Sequence, residues 1–133
     1  MIKRRNISPE TRDTIVVTDL QASSIASKVI YVAPVKCLVT VFKEVHGTAG
    51  NHASAVTGSI ERLQGTETSG QGDNLCTAEV SLKGTANTVQ TGTLTSTAST
   101  KTLAAGDRLG FLLTGNSQTL ATMVVTVQFR PVD

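Results

Sequence analysis

Side chains that could bind a metal ion or act as a general base are scarce in this sequence. Both histidines, His46 and His52, fall in the segment 46–54, whose Gly and Asn content predicts a loop. No cluster of Cys, Asp or Glu accompanies them, so we expect a solvated loop here rather than a metal site. A loop also holds a general base less rigidly than a strand or a helix does.

The two cysteines, Cys37 and Cys76, lie far apart in the sequence and lack the spacing of metal ligands. Each falls within an apolar strand pattern. This placement favours two reduced thiols that are buried as small hydrophobic residues. A disulfide bond across the fold is the alternative.

Other catalytic and ligand-binding patterns are missing from the sequence. No glycine is followed by the Gly-Lys-Ser/Thr of a phosphate-binding loop, and no serine lies in a nucleophile elbow. Glu67 and Asp73 lack the alternating spacing of a calcium loop. Asp107 follows a glycine at the entry of a strand, where it is expected to accept backbone N–H groups. We therefore expect no catalytic activity, no cofactor and no metal ion.

Positive charge is concentrated at the amino terminus, in Lys3, Arg4, Arg5 and Arg12. Residues 1–12 have no strand or helix periodicity, so they form either an extended arm that packs on a partner or a plain disordered terminus. The net charge of +2 is too small for a general nucleic-acid binder. No apolar run is long enough for a signal peptide or a membrane span, so we expect synthesis in the cytoplasm of the host cell and no membrane partner.

The composition indicates an all-β protein. The 133 residues suit one domain, and charged residues are only 17%, because Thr, Ser, Gly and Val take their place. Aromatic residues are 3%, and there is no Trp. This weakens any proposal of a site that binds sugars or bases by stacking on aromatic rings.

The segment from Leu103 to Phe129 shows the clearest strand pattern. It contains two apolar runs that alternate with Thr and charged residues, separated by Gly115-Asn116-Ser117-Gln118, which has turn chemistry. Since side chains alternate between the two faces of a strand, each run has one apolar face. The pattern predicts a β-hairpin with these core residues: Leu109, Phe111, Leu113, Met123, Val125, Val127 and Phe129.

Two further segments place strands earlier in the chain. Lys36 to Val45 is apolar on both faces, with Cys37 and Val39 on one face and Leu38 and Phe42 on the other, which predicts a central or doubly covered strand. Leu75 to Leu82 alternates with Cys76 and Leu82 on its apolar side.

In all, about eight short strands are separated by turn signals, which is typical of a sandwich or jelly roll. We therefore predict an all-β, single-domain antiparallel β-sandwich, jelly-roll-like, over residues 13–133. Residues 1–12 are predicted to form an extended N-terminal arm.

The block from Ser59 to Phe129 contains the phrases SIERLQGTET, NLCTAEVSLKGTANTVQTGTLTS and TLAAGDRLGFLLTGNSQTLATMVVTVQF. It resembles small β-sandwich virion proteins of tailed bacteriophages and prophages. In those proteins a strand ending near LKGTANTVQTGTL leads to LAAGDRL, a TG turn and a final VVTV strand. The resemblance covers a little over half of the chain.

The resemblance implies a jelly-roll-like virion component, often trimeric, that serves as a capsid decoration (cement) protein or as a head or tail fibre module. The favoured interpretation is a homotrimer on the outside of a phage head. It would bind the major capsid protein through the arm residues Lys3, Arg4, Arg5 and Arg12, and would stabilise the head without catalysis.

The alternative is a tail-fibre or receptor-binding module that contacts host-surface glycans. The low aromatic content and the lack of a coiled-coil or collagen-like stalk weigh against it. A small hydrolase or sugar-binding domain is the third possibility, and the missing catalytic residues weigh against that one.

Overall fold

The computed structural model describes residues 13–21 and 25–132, which fold into two packed antiparallel β-sheets. The strands are β1 Thr14–Leu20, β2 Lys28–Val32, β3 Cys37–Thr48, β4 Thr57–Leu63, β5 Asp73–Asn74, β6 Cys76–Ala78, β7 Val80–Ser81, β8 Gln90–Thr91, β9 Thr93–Leu94, β10 Thr102–Leu103, β11 Arg108–Thr114 and β12 Ala121–Pro131. One helical turn, α1, spans Ala98–Lys101.

The order of the strands identifies the topology. Sheet A has the order β1-β12-β3-β10, with β8 also paired to β3, and sheet B has the order β2-β11-β4-β5, with β7 also paired to β4. The chain changes sheet at each step from β1 to β4 and stays in sheet B for β5 and β7. It then enters sheet A for β8 and β10, sheet B for β11 and sheet A for β12. This is the connectivity of a double-sheet jelly roll, so the predicted all-β antiparallel sandwich is confirmed.

The core lies between the two sheets and is built by strand alternation. The structure buries six of the seven predicted core residues completely: Leu109, Phe111, Met123, Val125, Val127 and Phe129. Leu113 is only half-buried and packs against the edge of the same cluster.

The predicted hairpin between the two apolar runs is wrong. β11 pairs with β2 and β4 in sheet B, whereas β12 pairs with β1 and β3 in sheet A. The linker after Thr114 therefore crosses from one sheet to the other instead of reversing within one sheet. Alternation specifies which side chains face the core, and two strands that face the same core from opposite sheets show the same pattern as a hairpin.

The predicted faces of β3 need a correction as well. The strand is central, as expected, because it pairs with β12, β10 and β8. Its register against β12 shifts between Val39 and Val41, which leaves Thr40 as an extra residue, as in a β-bulge. The bulge moves Phe42 to the same side as Cys37 and Val39, so all three are buried in the core.

The predicted strand from Leu75 to Leu82 is interrupted. β6 pairs with β9 in a small separate sheet, and the chain joins sheet B only at β7. Leu75, whose amide donates to the carbonyl of Ile60 at 2.9 Å, is fully buried, whereas Cys76 is half-buried. The change of partner strand breaks the alternation that the sequence suggested.

Candidate assembly surface

The predicted capsid-binding residues Lys3, Arg4, Arg5 and Arg12 lie outside the described residues. The described chain begins at Asp13, immediately before β1. There the Asp13 carboxylate lies 3.6 Å from Nε of Arg130 and accepts a hydrogen bond from the Gln128 side chain, both on β12. Residues 1–12 therefore adjoin a point that is held to the end of β12, next to the edge strand β1.

Large apolar side chains are exposed along one edge of the sandwich. Among the described residues, six large hydrophobic residues are exposed, and five of them lie between positions 15 and 35, namely Ile15, Val17, Val29, Val32 and Val35, which we call the apolar edge. The sixth is Val89. Isolated exposed apolar residues are ordinary, but a group of this kind marks a surface that binds another molecule.

The topology explains why these residues lie together. β1 and β2 are the outermost strands of sheets A and B. Tyr31 of β2 stacks on Phe129 of β12, the neighbour of β1, with ring centroids 4.3 Å apart. The outer strands of the two sheets therefore lie on the same side of the sandwich, and Val35 lies in the turn that follows β2.

The apolar edge extends onto the outer face of sheet A. Ile15 and Val17 lie on the outer face of β1, where their partners on β12 are Gln128 and Thr126. Two residues further along β12, Val124 lies between Asp19 of β1 and Val45 of β3, and both valines are half-buried. Valines thus continue across three strands on a face that is usually covered with charged residues in a solvated sheet.

The edge strand β1 has few of the features that protect free edges. It has no proline, its register with β12 is regular, and its one charged residue, Asp19, lies near its end. Natural proteins usually protect an exposed edge strand with charged residues, proline or a bulge, or cover it with another chain.

The structure corrects the prediction for His46. It does not lie in a loop but near the end of β3, where it is fully buried. Its Nδ1 lies 2.8 Å from Oε2 of Glu44, and its Nε2 lies 2.9 Å from the carbonyl oxygen of Gly84. His52 is half-buried in the loop beyond β3, and its Nδ1 accepts the amide of Ser54 at 3.2 Å. The two histidines therefore do not share a site.

Glu44 is a buried acidic residue that no motif in the sequence singles out. It is 1% exposed, and its second oxygen accepts a hydrogen bond of 2.8 Å from the side chain of Gln90. Burial raises the pKa of Glu44, while the hydrogen bonds from His46 and Gln90 act to lower it. The sequence does contain one indication of this site. Glu44 and His46 lie two and four residues after Phe42, so they are on the same face of the strand as this core residue.

Glu61 is a second buried acid, and it has a structural role. It is 1% exposed and accepts backbone hydrogen bonds of 3.0 to 3.1 Å from the amides of Gly70 and Gly72. Arg108 donates to the carbonyls of Gly65 and Glu67 in the same loop, at 3.0 and 2.8 Å. These contacts fold the long Gly-rich loop back over sheet B.

Both cysteines are free, as favoured from the sequence. Burial raises the pKa of each thiol, and the charges of Asp107 near Cys37 and of Glu79 near Cys76 act in the same direction. A raised pKa keeps the thiol protonated and therefore unreactive. Asp107 accepts the amide of Ala104 at 2.9 Å, which confirms its predicted role in the turn.

One open groove of about 470 Å³ lies beside α1 and the turn between β10 and β11. Its polar side is formed by Arg62, whose Nη1 donates to the carbonyls of Ser99 and Thr102 at 2.8 and 3.0 Å. Nη2 of Arg62 pairs with Asp73 at 2.8 Å. These contacts engage the guanidinium in holding α1 in place.

Within residues 13–21 and 25–132, no three His, Cys, Asp or Glu side chains converge as metal ligands. In the same part of the chain, no helix has the length and apolarity needed to cross a bilayer.

Comparisons with known proteins add one remote similarity. No protein family and no curated protein matches the chain. A solved structure, "Structure of infectious bursal disease virus Gx strain", is similar at a TM-score of 0.37 and 12% identity, over 92% of this chain and 30% of that one. The chain thus spans under a third of the length of the viral chain. The assignment of the jelly roll rests on the strand pairing given above.

Proposed function

We propose that this chain is a structural subunit of a phage virion. In this proposal it forms a homotrimer that decorates the outside of the head, binds the major capsid protein and stabilises the shell through added contacts, without catalysis. The observation that carries the proposal is the apolar edge, because it is a surface that needs a protein partner. The block from Ser59 to Phe129 resembles phage virion proteins, and this resemblance is the reason for proposing a phage particle.

The apolar edge has the composition of a subunit interface. Interface cores are depleted in charged residues and rich in apolar contact, whereas the rim around them is polar. Here exposed valines and Ile15 form the centre, and Asp19, Lys43 and Arg130 lie on the outer face of sheet A around them. A second and a third copy of the chain would cover the edge in a closed ring.

The arm supplies the contact with the capsid in this proposal. Lys3, Arg4 and Arg5 are three consecutive cations on a chain whose net charge is only +2. Clustered charge speeds the encounter with an acidic surface, and Arg binds carboxylates through two parallel hydrogen bonds. The attachment of the arm at Asp13, beside β12, places its origin next to the apolar edge.

A tail-fibre module that binds glycans has less support. Sugar-binding sites use exposed aromatic faces. The chain contains three Phe, one Tyr and no Trp. Phe42, Phe111 and Phe129 are fully buried, and the ring of Tyr31 stacks on Phe129. Tyr31 is thus the one aromatic residue that is even partly exposed, and its ring already stacks on Phe129.

The proposal is tested by co-sedimentation with undecorated capsids. Removal of residues 1–12 should leave a folded trimer that no longer sediments with capsids, because every described core residue lies after Asp13. Replacement of Lys3, Arg4 and Arg5 by Gln should weaken capsid binding by roughly tenfold or more. The difference in affinity between the wild type and this variant should become smaller at higher salt, because salt screens the contact that the wild type makes.

The matched control replaces Lys83 and Lys101, two lysines of the sandwich that lie away from the apolar edge, by Gln. It is compared with a variant in which only Arg4 and Arg5 become Gln, which loses the same amount of charge. The control should bind capsids like the wild type. Equal weakening by both double variants would show that total charge matters rather than the arm. Full binding by the truncated trimer would move the capsid contact to the sandwich.

A further inference from the structure

The buried pair of Glu44 and His46 has no role in the proposed assembly, yet it connects two parts of the fold. Both residues lie on β3, and the groups they contact belong to the segment 81–91, which leads into β8. His46 contacts the carbonyl of Gly84 at 2.9 Å, and Glu44 is held by Gln90 at 2.8 Å. Gln90 in turn donates to the carbonyl of Ser81 at 2.7 Å and accepts its amide at 3.2 Å.

The hydrogen bonds specify how many protons the pair can hold. The carbonyl of Gly84 only accepts, so Nε2 of His46 must carry a hydrogen. The side-chain amide of Gln90 donates to Oε1 of Glu44. The remaining oxygen, Oε2, therefore faces Nδ1 of His46, and these two atoms are 2.8 Å apart. One hydrogen must lie between these two atoms, on either the ring or the carboxyl group.

Other charged groups are turned away from the pair. On the facing strand β12, the partners of Glu44 and His46 are Val125 and Met123, which are apolar and fully buried. Lys43 is exposed on the opposite face of β3. Lys83, the charged residue of the segment 81–91, directs its Nζ to the carbonyl of Ser54 at 3.5 Å. The protonation of the pair is therefore set by its own two members and by burial.

We propose that the pair of Glu44 and His46 is a one-proton latch that holds residues 83–90 against sheet A. The latch is closed when the pair shares one hydrogen between Nδ1 and Oε2. It opens when the pair holds none or when it holds two.

Each of the other protonation states leaves two like groups facing each other inside the protein. With no shared hydrogen, a lone pair of Nδ1 faces a lone pair of Oε2. With two, an N–H faces an O–H. A buried polar group without a partner is costly, and residues 83–90, which are exposed or half-buried, can relieve it by moving into solvent while Leu82 stays in the core. The ladder between β3 and β12 does not depend on the pair, so the sandwich stays folded.

The direction on the alkaline side follows from the carboxyl group. Burial raises the pKa of Glu44 in the folded state above its value in the unfolded chain. The contribution of the shared hydrogen is therefore lost as the pH rises through the folded pKa, and it is lost again at low pH, where the pair holds two hydrogens and the latch opens.

Amide hydrogen exchange from about pH 4 to 9, expressed as protection factors, tests the latch. The reporters are Asn87, whose amide donates to the carbonyl of His46 at 2.7 Å, and Ser81, whose amide donates to Gln90. Their protection should pass through a maximum and fall about tenfold for each pH unit beyond it, because one proton is linked to opening. The amides of Leu75 and Ala33, held by Ile60 and Asp107, should keep constant protection.

The variant Glu44→Gln separates the latch from general unfolding. A neutral Gln can donate to Nδ1 of neutral His46 and still accept from Gln90, so it needs no shared proton. The alkaline loss of protection at Asn87 should therefore disappear in this variant. Constant protection at Asn87 in the wild type, or an unchanged alkaline loss in Glu44→Gln, would overturn the latch.

Nitrogen NMR of the His46 ring gives a second measurement that needs no variant. It should show Nε2 carrying a hydrogen at the pH of maximal protection. A bare Nε2 at that pH would contradict the hydrogen bond to Gly84 and the latch with it.

Discussion

Phe111→Ala is expected to lower the free energy of unfolding by about 3–5 kcal/mol, because it removes a fully buried ring and leaves a cavity. The ring belongs to β11 in sheet B and faces the core. It packs over Gly58, where an added Cβ would lie 2.9 Å from the ring, so the space beneath the ring is already closed. Gly58 has no side chain that could move into the gap.

Chemical denaturation of the variant measures this loss. Val89→Ala is the matched control, since Val89 is 62% exposed, and its loss should stay within about 0.5 kcal/mol. A loss of less than about 1 kcal/mol for Phe111→Ala would mean that the apolar parity of β11 does not face the core, since an error of one residue exchanges the two faces.

Val17→Lys is expected to dissociate the trimer while the sandwich stays folded. Val17 is 61% exposed in the single chain, so a lysine there costs the isolated fold little. In the proposed trimer the same position is covered, and burial of an unpaired ammonium group costs several kcal/mol. We expect the trimer to weaken by roughly a hundredfold or more per interface.

Val89→Lys is the control for this variant, because Val89 is equally exposed at 62% but lies away from the apolar edge. It should keep the mass of the wild type in light scattering. If Val89→Lys dissociates the protein and Val17→Lys does not, the interface lies at the end of the sandwich near β8.

Much of the fold could be predicted from the alternation of apolar residues. The pattern placed Phe111 and Phe129 in the core correctly, because side chains of a half-buried strand must alternate. It could not show that β11 and β12 belong to different sheets, since that depends on which distant strands they pair with. The bulge at Thr40 is likewise invisible in the sequence, yet it decides which face Phe42 occupies.

Less of the candidate surface could be predicted. Ile15 and Val17 have the composition of a core strand, and their exposure follows from the position of β1 at the edge of sheet A. Gly47 and Asn51, which follow His46, predict a loop at this position. The structure extends β3 through Thr48, so the strand carries the ring into the interior beside Glu44.

The mass of the protein in solution tests the central claim most directly, because the apolar edge has a role only if another copy covers it. Size exclusion with light scattering at micromolar concentration should give three times the chain mass of 13.9 kDa. The same mass should persist after removal of residues 1–12. A clean monomer of 13.9 kDa at that concentration would contradict the account, since the apolar edge would then face water.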